Sequence, residues 1–127
     1  MEVVIDEDLA EFDREADFYI PMEELKAEND PRYHQIVEGR WSAEDTARAF
    51  EAGVVRAMDR VVAANPSKRV AVVCHGGVIN AYLAHVLGLD EPMFFYPAYA
   101  GISRVMAAQS GVRSIASVNE AAHLRGL

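Results

Sequence analysis

The run Val70-Ala71-Val72-Val73-Cys74-His75-Gly76-Gly77-Val78-Ile79-Asn80 decides how the rest of this chain is read. Its first five residues are uninterrupted apolar side chains, the pattern of a strand buried on both faces. Two glycines break the run. Ile79, Leu83, Val86 and Leu87 then follow at helical spacing, and Gly88 supplies a stop. The order is strand, tight turn, helix, with His75 at the strand's carboxyl end. Open α/β sheets place ligands at that end, over helix N-termini. Free backbone N–H groups and the helix dipole favour an anion there, most often phosphate. His75 is therefore the first residue to examine for chemistry.

Upstream of this unit, residues 43–64 read as a long helix with an apolar face of Ala47, Phe50, Val54, Ala57 or Met58, Val61 and Val62, closed by Asn65-Pro66-Ser67. Ser42 with Asp45 three residues on is a loose capping-box signal. Two short helices precede it. Pro21 starts the first, over 22–28. Asp30 as N-cap and Pro31 at the first helical position start the second, which Gly39 ends. Residues 2–5 form a short apolar strand candidate. Residues 6–20 are acidic and irregular and predict a carboxylate-rich loop. Downstream, Asp90-Glu91-Pro92 is a turn and Met93-Phe94-Phe95-Tyr96 a dense aromatic stretch ended by Pro97. Residues 102–108 and 112–118 read as two strands around a Ser110-Gly111 hairpin turn, the second alternating apolar and polar.

A length of 127 residues and a hydrophobic fraction of 51% allow one domain with a real core. No run approaches the roughly 20 apolar residues that span a bilayer, and no signal peptide is visible. One cysteine excludes an internal disulfide and suits a reducing cytoplasm. The net charge of −8 argues against nucleic acid or an anionic membrane as partner. It leaves a small anionic substrate open. The four histidines show no helical i, i+4 pair, so no metal site is expected, and no cofactor is implied. No G-x-G-x-x-G or Walker pattern supports an unrelated nucleotide-binding α/β domain.

Residues 72–79 resemble the second-histidine motif of the histidine phosphatase superfamily, the phosphoglycerate-mutase-like proteins. Leu9-Ala10-Glu11-Phe12-Asp13 is similar to that family's acidic loop, the long helix 43–64 falls where the family has one, and Ile102-Ser103-Arg104-Val105 with residues 119–124 resembles the closing hairpin and tail of many bacterial members. The resemblance covers essentially the whole chain. It implies a three-layer α/β fold, with a mostly parallel sheet, helices on both faces and a C-terminal antiparallel hairpin. The departure is as informative. The family opens with a strand ending in Arg-His-Gly, whose histidine is the nucleophile. No Arg-His pair occurs in this sequence, and the family's following phosphate-binding arginine segment is absent too. The chain therefore reads as a single, incomplete domain that starts just before the acidic loop.

By this resemblance His75 donates to the equatorial oxygens of a phosphoryl group held across the pocket from the missing nucleophile. Backbone N–H groups at Gly76 and Gly77 add to the cradle. Glu11 matches the general acid that protonates the leaving group, with Asp8, Asp13 and Glu15 as neighbouring carboxylates. Arg104 is the remaining phosphate-binding candidate, and His123 with Asn119 matches the family's tail. Each residue also has a plain structural reading: a strand-capping histidine, one solvated carboxylate among several, a solvent-facing strand arginine. Cys74 reads as a core residue beside the site. A Cys74–His75 nucleophile pair is the sharper reading, but adjacent strand residues point to opposite faces. His34 and His85 read as helix residues outside the site. Tyr19, Tyr33 and Trp41 fall in the insertion that covers the pocket mouth in the family. Tyr96, Tyr99 and Phe94-Phe95 are core or pocket wall.

The implied parent activity is phosphomonoester hydrolysis, or phosphoglycerate-mutase-like transfer, through a phosphohistidine. The competing expectation is a non-catalytic fragment or phosphate-ester-binding module. A strand at 70–74 without its neighbour would also expose an apolar edge. That predicts cover from residues 2–5, from another copy of the chain, or from a segment not in this sequence.

Overall fold

The computed structural model describes residues 1–12, 21–37 and 44–126, and the side chains of these except 22, 35–37 and 44–46. Elements are labelled α1 (Met22–Ala27), α2 (Pro31–Val37), α3 (Glu44–Ala64), α4 (Gly76–Leu87), β1 (Ile102–Ala107) and β2 (Arg113–Glu120). Short 3-10 turns lie at Glu7–Leu9 and Ala122–Leu124.

The core is the seam between α3 and α4. Val54 from α3 and Val78, Ala81 and Tyr82 from α4 form its buried centre, with Phe50, Met58, Cys74, Val86, Leu9 and Val105 packed around it. These α3 residues lie on the apolar stripe legible in the sequence. The stripe buries because α4 offers a nearly continuous apolar face from Val78 to Ala84. Gly88 ends α4 in the left-handed region at φ 68°, and Leu89 N–H reaches back to the Ala84 carbonyl at 2.9 Å. A residue with a side chain is disfavoured in that conformation, so the helix stops where the sequence predicts. Asp30 caps α2 by accepting from Arg32 N–H at 2.9 Å, and the Arg32 guanidinium beside it holds its carboxyl down to about 2.

β1 and β2 pair antiparallel, with a register irregularity between Ile102 and Val105, and pack against α4 through Val105. This is the only sheet among the described residues. Among the described residues, the expected three-layer, mostly parallel sheet is not formed. Residues 2–5 and 70–74 carry no regular secondary structure, and neither belongs to a ladder. The reading of 70–74 as buried on both faces is also corrected. Val72 and Cys74 are half-buried, while Val73 is 96% exposed. The reason is elementary: a strand gains its stability from a neighbour's N–H and C=O groups. Among the described residues, no segment pairs with either stretch. Residues 2–5 in particular do not cover 70–74, and Val3, Val4 and Ile5 stay exposed. The expected capping box at Ser42, the helix end at Gly39 and the pocket-mouth residues Tyr19 and Trp41 lie outside the described residues, as do Asp13 and Glu15.

Candidate functional site

His75 stands at the N-cap of α4, with extended backbone (φ −92°, ψ 171°), and its ring makes no capping bond to the helix. The imidazole is exposed, so it faces solvent at the mouth of the first helical turn. Gly76 and Gly77 open that turn.

Glu11 arrives at the same turn from the acidic loop. One carboxylate oxygen accepts from Gly77 N–H at 3.0 Å, the other from Phe12 N–H at 2.9 Å. The loop that brings it is fastened at several points. Arg60 on α3 donates to Asp6 at 2.9 Å and to Asp8 at 3.0 Å. Asp6 caps the 3-10 turn by accepting from Asp8 N–H. Leu9 packs on the core, and Phe12 meets Phe50 edge-on, with ring centroids 5.6 Å apart. An apolar and ionic clasp thus sets the position of a carboxylate 66 residues away from its partner amide. Gly77 has a specific role here. A Cβ at that position would run into the Glu11 carboxylate, so glycine is required for the close approach.

The far side of the turn is walled by residues 93–101. Pro97 lies over Gly76, 3.7 Å from where a Cβ would be. The pin is Asn80, which is fully buried. Its Nδ2 donates to the carbonyls of Gly76 and Phe95, both at 3.0 Å, and its Oδ1 accepts from Phe94 N–H at 3.0 Å and Phe95 N–H at 3.2 Å. All the bonding capacity of the amide is used.

The family profile of the histidine phosphatase superfamily (branch 1) matches residues 1–120. The chain belongs to the histidine phosphatase superfamily. Neither the comparison with curated proteins nor that with solved structures found a match.

In this histidine phosphatase chain, four of the residues expected at the site converge: His75, Gly76, Gly77 and Glu11. Two others are engaged elsewhere. Arg104 donates from Nε to Glu120 at 2.7 Å, and Ser117 donates to the same carboxylate at 2.5 Å. The Ser117 hydroxyl and then Arg104 hold the Glu120 carboxyl below its usual range. His123 places Nε2 2.8 Å from the Ala100 carbonyl, so it fastens the loop rather than facing the turn. His34 and His85 lie apart, beside Asn29 and Glu51 respectively.

Cys74 packs into the core, where burial and then the charge of Glu11 push its thiol up to about 11. A thiol with that pKa stays protonated at neutral pH and is a poor nucleophile. Among the described residues, no group of three or more histidine, cysteine, aspartate or glutamate side chains is placed to hold a metal ion. No helix there is long and apolar enough to cross a membrane. Two site features escaped the sequence reading. One is the Asn80 pin, signalled only by an amide on an otherwise apolar helix face. The other is Gly77 as clearance for a carboxylate rather than for phosphate.

Proposed function

We propose that residues 1–127 carry the second-histidine half of a phosphate-monoester pocket. The reaction it serves is hydrolysis of a small phosphorylated metabolite, or mutase-type transfer, through a phosphohistidine. The observation that carries this reading is the meeting of Glu11 and the His75-Gly76-Gly77 turn at the start of α4. The phosphoryl group seats at the turn. His75 donates to its equatorial oxygens, and the amide of Gly76 adds a second donor. A histidine nitrogen from an Arg-His-Gly segment attacks phosphorus in line, and the ester P–O bond breaks. Glu11 gives its proton to the leaving oxygen. Water then attacks the phosphohistidine, Glu11 takes up a proton, and phosphate leaves.

The sequence holds no Arg-His pair, so the nucleophile comes from outside these residues. The segment that bears it lies against 70–74 and completes the parallel sheet. A second copy of the chain pairing at the same edge is the alternative occupant. The same lack favours a second reading, in which the 127 residues act as a phosphate-ester-binding module without turnover. Arg104 enters the pocket only by releasing Glu120. Metals, nucleic acid and membranes have no part in this scheme, and the cytoplasm is its setting.

The test uses p-nitrophenyl phosphate. The 127-residue chain shows no turnover above buffer. A chain extended by an in-frame Arg-His-Gly strand shows turnover that His75→Ala removes. Robust turnover by the short chain, abolished by His75→Ala, overturns the assigned roles.

A further inference from the structure

Residues 71–75 alternate in exposure. Ala71, Val73 and His75 are exposed, while Val72 and Cys74 are half-buried. That is the period of a strand. Cys74 packs on the α3–α4 core, and Val73, almost wholly exposed, marks the open side. Among the described residues nothing pairs with this run, so its peptide groups have no ladder partner. An apolar run with an unpaired backbone is a template for another strand. Arg69, just before the run, falls in step with Ala71, Val73 and His75 and is exposed as they are. Its side chain makes no hydrogen bond or ion pair among the described residues.

A second copy of the chain fits this edge in one register that uses the whole run. Two identical strands paired across a twofold axis are antiparallel and self-complementary. Full overlap of residues 70–74 then puts Val72 opposite the partner's Val72. In that register Ala71 lies opposite the partner's Val73, and Arg69 opposite the partner's His75. Both pairs occur twice, on the open face. Side chains directly opposite in such a pair have Cβ atoms about 4.5–5.5 Å apart. The arginine arrives where a cation is wanted. The turn that His75 heads holds the Glu11 carboxylate, on Gly77 N–H at 3.0 Å. Arg104, the arginine expected at the site, is bonded to Glu120 instead. We propose that residues 70–74 form the interface of a twofold dimer of the 127-residue chain, and that Arg69 of each copy completes the phosphate site at the partner's His75. Guanidinium and imidazole then hold oxygens of the same phosphoryl group. The part played by Arg69 rests on the phosphate reading of the His75 turn. An Arg-His-Gly strand, where present, competes for the same edge.

Sedimentation equilibrium of the 127-residue chain shows a dimer. Spectra of the 15N-labelled chain then follow inorganic phosphate at the amides of residues 75–77, at chain concentrations well below and well above the dimer's dissociation constant. Phosphate shifts these amides in both regimes and binds at least fivefold more tightly in the dimer. Arg69→Ala still dimerises but loses that difference. Charge tests the register. Ala71→Lys with Val73→Lys sets lysine opposite lysine, whereas Ala71→Lys with Val73→Glu sets lysine opposite glutamate. The second double variant dimerises at least tenfold more tightly than the first. Positions 71 and 73 are exposed, and circular dichroism of each variant matches wild type. A monomer at every concentration overturns the proposal. So does a dimer indifferent to the two charge patterns, or an Arg69→Ala dimer that keeps the fivefold difference. In each of these cases a phosphate shift at residues 75–77 leaves the reading of the turn standing. No shift there, in a dimer of the expected register, overturns that reading and the role of Arg69 with it.

Discussion

Replacing Asn80 by alanine removes one buried amide and with it four hydrogen bonds, at 3.0, 3.0, 3.0 and 3.2 Å. Two N–H groups, of Phe94 and Phe95, and the Phe95 carbonyl lose these partners. Each buried polar group left unpaired costs about 1–3 kcal/mol. Phe94 and Phe95 are only half-buried, so water reaches part of the gap and the sum falls below that of three isolated losses. A net cost of about 2–4 kcal/mol follows. Against a typical domain stability of about 5–15 kcal/mol, this lowers the melting temperature by roughly 10 °C. Urea and thermal unfolding by circular dichroism measure it. Asn80→Asp separates the bonding argument from simple loss of volume. The aspartate keeps the acceptor for Phe94 and Phe95 but turns a charged oxygen toward the carbonyls of Gly76 and Phe95. Its folded-state pKa is therefore raised. The penalty is full at pH 7 and eases as the pH falls through that raised value. Asn80→Asp is thus the less stable variant at pH 7 and gains on Asn80→Ala toward pH 5. A cost below about 1 kcal/mol for alanine, or an aspartate variant equal to wild type at pH 7, would refute the account of Asn80 as the pin.

Gly77→Ala forces the Glu11 carboxylate off the turn, since the new methyl takes its place. Hydrogen exchange at Gly76 and residue 77 rises at least tenfold, while exchange in the middle of α3 stays put. The Cys74 thiol, held at about 11 by burial and the Glu11 charge, reacts with iodoacetamide far more slowly at pH 8 than a free cysteine does. Glu11→Gln removes the second cause and speeds that reaction severalfold, whereas an unchanged rate places Glu11 elsewhere. Asp6 is held below its usual 3.8, chiefly by the Arg60 guanidinium. Its share of stability is present above that value and fades as the pH drops through the lowered one. Arg60→Ala therefore flattens the acid limb of the stability curve below pH 3.8, and an acid limb identical to wild type contradicts the Asp6–Arg60 clasp.

How much of this was legible in the sequence follows from the range over which each element satisfies itself. α3, α4 and the hairpin form as read, because their hydrogen bonds close within a few residues and their stripes are long. Gly88 and Asp30 stop and start helices by local geometry alone. The site's acidic partner was legible only through family resemblance. Nothing in the spacing of Glu11 shows that Arg60, 49 positions on, fixes the loop that carries it. Arg104 looked available because a strand arginine in sequence carries no trace of its cross-strand neighbour. In space, Glu120 is that neighbour. The loop 93–101 read as punctuation and aromatics because its order is imposed from outside, by Asn80, Asn119 and His123.

The failures at 2–5 and 70–74 share a cause that bears on the site itself. A parallel strand has no local source of hydrogen bonds, so an apolar run predicts burial only if its neighbours exist. At 70–74 one face has a partner, the helical core, through Cys74, and Val72 is half-buried. The other has none, and Val73 stands 96% exposed. His75 directly follows that half-supported run, yet the turn it heads is held in place. Three contacts hold it: the α4 ladder behind, Glu11 on Gly77, and Asn80 on Gly76. The helices and polar pins therefore fix the His75-Gly76-Gly77 turn independently of the sheet. Disordering the run should leave the turn intact, whereas cutting the pins should not. Val73→Lys tests this. It charges the open face, removes an apolar pairing hazard and should raise solubility, with phosphate shifts at residues 75–77 unchanged. In a chain that carries the Arg-His-Gly strand, the same lysine would meet a neighbour and lower stability by at least 2 kcal/mol or so, the cost of burying an unpaired charge. A lysine tolerated equally in both chains would mean that the sheet does not close over residue 73, and the proposed placement of the nucleophile strand would be wrong.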